Sequence, residues 1–168
     1  SPPAAVPVLV EGEAVIYDSS AIMEYANELG DGNLLPKQIE LRAQARSLVA
    51  WQHSTLGKVC PCLSFESAFY KEKKQLSANE IASTEWVYSI WEAHLTKSTG
   101  SYLVGEFSLA DIALVPSVLR LQSHYPVPDQ FPRTSEWMQR LIDRPHVQEW
   151  LTDACALEPI YCEGYYSS

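Results

Sequence analysis

Val6-Pro7-Val8-Leu9-Val10-Glu11-Gly12-Glu13-Ala14-Val15-Ile16-Tyr17-Asp18-Ser19-Ser20-Ala21-Ile22 is the stretch that decides the fold. Two short runs of strand-forming residues flank Gly12-Glu13, which predicts a hairpin of Val8–Glu11 and Ala14–Tyr17. Asp18 or Ser19 then caps a helix, because a short polar side chain satisfies a free first-turn N–H. A lone two-stranded hairpin is marginal in water. Both runs are apolar on either side of the turn, as in a buried sheet rather than a solvated ribbon. The segment therefore reads as the second half of a small α/β domain whose first half precedes Ser1.

Outward from this point the pattern becomes helical. Ala21, Ile22, Tyr25, Ala26 and Leu29 form an apolar stripe at helical spacing. Gly30 is expected to end that helix as a left-handed residue. Residues 31–37 are a Gly/Asn/Pro connector and the domain boundary, dividing residues 1–31 from residues 32–168. Residues 39–70 predict one long helix broken near Gly57 and at Pro61. Residues 78–97 predict another, with Ile81, Tyr88, Trp91 and Leu95 on one face. Residues 109–121 are apolar nearly all round, which marks a central helix. Residues 135–143 give one more, and Pro145 opens the last. Residues 156–168 read as an irregular tail. The fold class is mostly α: a β-hairpin and helix left from an α/β unit, followed by an all-α bundle.

Bulk composition excludes several roles. The chain has 168 residues and a net charge of −9. An acidic surface repels phosphates, so neither nucleic acid nor an anionic membrane is an expected partner. No apolar run approaches the roughly 20 residues of a membrane span, and the first residues lack the pattern of a signal peptide. Four cysteines do not make a disulfide framework at this size, so a cytoplasmic, reducing location is expected.

Several groups admit two readings. Pro7 before an apolar strand is a strand start or a cis-proline that presents the Val6 backbone to a ligand. Asp18-Ser19 is a helix cap, or an anion site in which first-turn N–H groups and the Ser19 hydroxyl hold a carboxylate while Asp18 accepts from an ammonium. Ser108 and Asp111 form a capping box, with Phe107 and Ile112 as a hydrophobic staple; this is a folding element without chemistry. Cys60-Pro61-Cys62 lacks the two-residue spacing of redox or zinc motifs. His53 and His94 stand alone, and no metal site is expected. Trp51, Phe65, Phe69 and Tyr70 are core, or wall an apolar pocket.

In combination these segments resemble the cytosolic glutathione transferase superfamily, of theta-like or bacterial/fungal type. Val6-Pro7-Val8-Leu9-Val10 with Asp18-Ser19-Ser20-Ala21-Ile22-Met23-Glu24-Tyr25 is similar to that family's "VPVLV…(E/D)SxAIxxYL" segment. Leu34-Leu35-Pro36, the run from Tyr102 to Ala113, Phe131-Pro132, Trp137 and Arg144-Pro145 match its later landmarks. Ala50-Trp51-Gln52-His53 resembles theta-like members.

The resemblance implies a thioredoxin-like remnant over residues 1–31, an all-helical domain over residues 32–168, and a homodimer. Val6 takes the place of the backbone that pairs with the cysteinyl part of glutathione, and Pro7 that of the cis-proline. Asp18 and Ser19 match the pair that holds the γ-glutamyl end, with Asp18 replacing a longer Glu or Gln. The family's first βα unit, which carries the thiol-activating Tyr, Ser or Cys, has no counterpart here, so the activator is expected upstream of Ser1. The implied reaction adds the thiolate of glutathione, as cosubstrate, to a small apolar electrophile. The alternatives are a non-catalytic interaction or ligand-binding module, and a glutathione-dependent reductase or isomerase.

Overall fold

The computed structural model describes residues 6–56 and 63–161. The interruptions expected at Gly57 and Pro61, the Cys60-Pro61-Cys62 triplet, and Tyr165 and Tyr166 of the tail lie outside the described residues.

β1 (Val8–Glu11) and β2 (Ala14–Tyr17) pair antiparallel in the register Val8↔Tyr17, Leu9↔Ile16, Val10↔Val15 and Glu11↔Ala14. Gly12 turns the chain at φ +60°, a conformation that β-branched neighbours would resist. α1 (Ser19–Leu29) packs back on both strands. α2 (Ile39–Trp51) runs into a single π turn, Gln52–Leu56. A 3₁₀ turn, Glu66–Phe69, precedes α3 (Ala78–Lys97). α4 (Leu109–His124), α5 (Pro132–Ile142) and α6 (Pro145–Cys155) complete the bundle. Among the described residues no helix is long and apolar enough to cross a membrane.

The core lies where α3, α4 and α5 meet. Val87, Tyr88 and Trp91 from α3, Leu114, Val118 and Leu121 from α4, and Trp137, Met138 and Leu141 from α5 are all fully buried. Burial of such side chains contributes roughly 1.5–3 kcal/mol each, which makes this seam the main source of stability. α4 buries residues on every side, as its nearly continuous apolar sequence requires. Gly100 lies so close to the Gly105 backbone that a Cβ would overlap its carbonyl. That approach closes the turn between α3 and α4, where Tyr102 and Gly105 exchange backbone hydrogen bonds at 3.2 Å.

A smaller cluster joins the hairpin unit to the bundle. Val49, Leu109 and Ala113 are buried against Met23, Leu34, Leu35 and Ile112. The Leu109 N–H donates to Leu34 O at 2.8 Å, and the Leu34 N–H donates to the buried Asn27 side chain at 2.9 Å. Arg46 of α2 forms a two-pronged pair with Glu24 of α1, both contacts at 2.8 Å.

Among the described residues β1 and β2 pair with each other alone, and Val10 is 63% exposed. The sequence expectations are corrected at α1, at Gly30 and over residues 39–70. The α1 stripe is split: Ile22 and Tyr25 are half-buried, whereas Ala21, Ala26 and Leu29 are exposed. The inward face is instead Met23 and Asn27, one turn apart, because Asn27 anchors the connector. Gly30 is not left-handed (φ −83°). Its N–H still bonds Ala26 O, and the left-handed residue is Gly32, whose N–H reaches Asn27 O. Phe107 packs on the main core, beneath the Arg144 guanidinium at 3.4 Å, whereas Ile112 packs on the smaller cluster. The helix expected over residues 39–70 is shorter: among the described residues α2 and its π turn reach Leu56, and residues 63–70 hold only the 3₁₀ turn. The other helix boundaries agree within a few residues, with α4 running to His124 and α5 starting at Pro132.

Candidate functional site

The hairpin register assembles the candidate site. Because Val8 faces Tyr17, the two chains leave the ladder side by side, one carrying Val6-Pro7 and the other Asp18-Ser19. The Val6–Pro7 peptide bond is cis. Val6 is 93% exposed, so its backbone is open to a ligand.

Asp18 opens α1. Its carboxylate accepts from the Ser20 N–H at 2.8 Å, and its carbonyl accepts from the Ile22 N–H at 3.0 Å. These contacts make it the N-cap, as the sequence reading allowed. Hydrogen bonds from the Ser20 backbone and hydroxyl, aided by the nearby His53, hold its carboxyl below the ordinary value, so it stays ionised. Its backbone is strained at φ 74°. Non-glycine residues held at such angles cluster at binding and catalytic sites. Ser19 occupies the first helical position at the positive end of the helix.

The sequence reading left His53 isolated. The structure instead places its Nε2 3.1 Å from Ser19 Oγ. The π turn after α2 carries this ring to the start of α1, a contact 34 residues apart in sequence. No local pattern signals such a pairing. His94 is likewise not idle: it lines a cavity of about 220 Å³ with Gln44, Ser47, Leu48, Trp51 and Ile90, and burial lowers its pKa.

A larger cavity of about 840 Å³ opens between the 3₁₀ turn and the tail. Phe65, Phe69, Leu157, Ile160 and Tyr161 supply apolar walls, and Glu66 and Lys71 sit on its lining. Phe65 stacks on Trp150 at 5.6 Å. Tyr70 is core, yet it holds the tail: its hydroxyl donates to Ile160 O at 2.6 Å, and its ring stacks on Tyr161 at 4.6 Å. His124 secures the other side of the turn. Its Nε2 lies 3.1 Å from Ser67 Oγ, and Nδ1 lies 2.7 Å from Arg120 O. Burial lowers its pKa, against the hydrogen bond to Arg120 O.

Ser108 and Asp111 form the expected capping box. Asp111 does more than cap. Completely buried, it accepts from the Ser108 N–H and hydroxyl, the Leu103 N–H at 3.2 Å, and the Trp137 indole N–H at 2.9 Å. Burial raises its pKa, and these donors oppose the shift. Among the described residues no group of three or more His, Cys, Asp or Glu is placed to hold a metal ion.

Residues 48–156 match the family model described as Glutathione S-transferase, C-terminal domain. The chain belongs to the glutathione S-transferase family. Glutathione S-transferase F9 of Arabidopsis thaliana is 31% identical over 158 residues, covering 88% of this chain and 67% of the plant protein. Dichloromethane dehalogenase of Methylorubrum extorquens is 28% identical over 89% of this chain, which spans 58% of that enzyme's length. A solved glutathione transferase homolog from Drosophila mojavensis, with bound glutathione, superposes with a TM-score of 0.69. It is 27% identical and covers 91% of this chain and 71% of the solved one. The glutathione S-transferase architecture thus accounts for both parts of the molecule, the thioredoxin-like hairpin unit and the helical bundle.

Proposed function

We propose that the complete protein is a glutathione transferase, and that residues 6–19 hold one side of its glutathione. The Val6 backbone, set by cis-Pro7, pairs with the cysteinyl part. Asp18 accepts from the γ-glutamyl ammonium, and Ser19 with the first-turn N–H groups of α1 donates to the neighbouring carboxylate. The thiolate lone pair forms the new carbon–sulfur bond with a small apolar electrophile, and the bond to the leaving group, a halide in an aryl halide, breaks with its electron pair departing on that anion. The electrophile enters the cavity walled by Phe65, Phe69 and Tyr161. We assign thiol activation to none of the described residues. Residues 1–31 act as the glutathione-binding unit and residues 32–168 as the helical unit that shapes the second site. The assembly is a homodimer in the cytoplasm, where glutathione is the prevailing thiol.

The observation that most supports this reading is the juxtaposition of cis-Pro7 with an ionised Asp18 and Ser19 at one end of the hairpin. The test is calorimetric titration of the complete protein with glutathione, as wild type and as Ser19→Ala. Loss of one charge-assisted hydrogen bond weakens binding by about tenfold. Equal affinity of the two proteins overturns the site. Turnover with a generic aryl halide separates a transferase from a binding module, which binds but does not consume glutathione.

A further inference from the structure

We propose that His53 is a positioning residue for Ser19, turning the serine hydroxyl proton toward the carboxylate that Ser19 receives. The inference rests on the reading of Ser19 as a glutathione contact. A serine hydroxyl has one proton and two lone pairs. His53 Nε2 lies 3.1 Å from Ser19 Oγ, so the two groups share one hydrogen bond whose direction depends on the ring. When Nε2 carries no hydrogen, Ser19 donates to the ring and presents only lone pairs outward. A carboxylate meets those lone pairs as repulsion. When Nε2 carries a hydrogen, the ring donates to Ser19 Oγ and the serine proton is free to bond the carboxylate. His53 thereby decides whether Ser19 is a donor or an acceptor toward its ligand.

Two further observations set this pair apart from a casual surface contact. His53 lies in the π turn Gln52–Leu56, a rare helical geometry that recurs at functional sites. The contact is also long-range: the turn brings the ring to the first residue of α1 across 34 positions of sequence. The ring thus acts on the γ-glutamyl end through the Ser19 hydroxyl alone. It needs no contact with the ligand to do so.

The test uses the complete protein as wild type, His53→Gln, His53→Leu, Ser19→Ala and the Ser19→Ala/His53→Leu double variant. Each is titrated with glutathione, and thermal midpoints confirm that all are folded. His53 is exposed, so its replacement leaves the midpoint in place. Glutamine carries an amide N–H that can donate to Ser19, whereas leucine carries none. His53→Leu is expected to weaken glutathione binding about three- to tenfold, the loss expected for one hydrogen bond. His53→Gln should stay within about twofold of wild type. In the Ser19→Ala background His53→Leu should add nothing, because its effect runs through the missing hydroxyl. KM for glutathione should rise while kcat holds. The proposal is overturned if His53→Leu binds as wild type does, if Gln fails as badly as Leu, or if the Leu penalty persists without Ser19. A wild type that binds no glutathione overturns the functional reading itself and this inference with it, an outcome distinct from a wild type and a His53→Leu that bind equally.

Discussion

Ser108 and Asp111 open α4 in the middle of the helical core, whereas Asp18 and Ser19 open α1 at the rim of the hairpin. The residue types are the same, and each aspartate accepts a backbone N–H at its helix start, Asp18 from Ser20 and Asp111 from the capping Ser108. Their surroundings differ. Asp111 is fully buried and surrounded by protein donors, with the Trp137 indole added from another helix. Asp18 is exposed, and the hydroxyl of its neighbour Ser19 meets the His53 ring. Burial raises the pKa of the first, and hydrogen bonding lowers that of the second. A carboxylate saturated with protein donors in a dry interior has nothing left to offer a ligand and serves the fold. One held ionised at a wet helix start retains acceptor sites for a ligand's cation.

The contrast can be broken most severely at Asp111. Asp111→Asn turns an acceptor-only group into one whose amide faces existing donors, and should lower unfolding stability by about 3 kcal/mol at neutral pH, as read by denaturant melts. The same substitution at Asp18 keeps a capping oxygen and should leave stability within about 0.5 kcal/mol.

The pH dependence of the two variants should have opposite signs. Asp111 binds its proton more tightly when folded, because burial raises its pKa from the ordinary 3.8. The proton-linked part of its contribution is therefore present at low pH and lost as pH rises through the native value, leaving the part due to its hydrogen bonds at neutral pH. The stability gap between wild type and Asp111→Asn should widen as pH falls. Asp18 is lowered from 3.8, so its contribution is present above that value and lost as pH falls through the native value. The gap between wild type and Asp18→Asn should close on acidification.

A finer probe compares two tryptophans that meet edge to face at 5.1 Å. The Trp137 indole N–H serves Asp111, while the buried Trp91 N–H has no hydrogen-bond partner among the described residues. Trp137→Phe should cost about 1–2 kcal/mol more than Trp91→Phe, because only the former leaves a buried carboxylate a donor short. Equal losses would mean that the carboxylate does not depend on the indole. At the rim, Asp18→Asn should weaken glutathione binding about tenfold by removing a charge opposite an ammonium. The smallest effect belongs to Glu24→Gln. That exposed pair with Arg46 should contribute no more than about 0.5–1 kcal/mol, and less at high salt.

The features legible in the sequence are those governed by chemistry within a few residues. The Gly12 turn, the Asp18 and Ser108 caps, the Pro145 helix start and the all-round apolar α4 were each specified by neighbours along the chain. Features that depend on a distant partner were not legible. Nothing near His53 points to Ser19, and nothing near Asp111 points to Trp137. The α1 stripe misled for the same reason. Its apolar residues satisfy the helical period, but the face that docks is chosen by Asn27, whose polar side chain finds the Leu34 N–H. Gly30 was misplaced because Asn27 O captures the chain two residues later, at Gly32.

The tail has its own consequence, which is one of timing. Tyr70 and Ile160 close a span of 90 residues with one hydrogen bond and an adjacent stacked ring pair. Closure entropy grows only slowly with span, by about 0.6 kcal/mol per doubling. Leu157, Ile160 and Tyr161 remain exposed around these anchors, whereas the core seam is held by many buried side chains. Local opening draws on the weakest cooperative unit. The wall of the larger cavity formed by Leu157, Ile160 and Tyr161 can therefore detach and return many times within the lifetime of a single folded molecule, and the clock for filling or emptying that space is set at Tyr70.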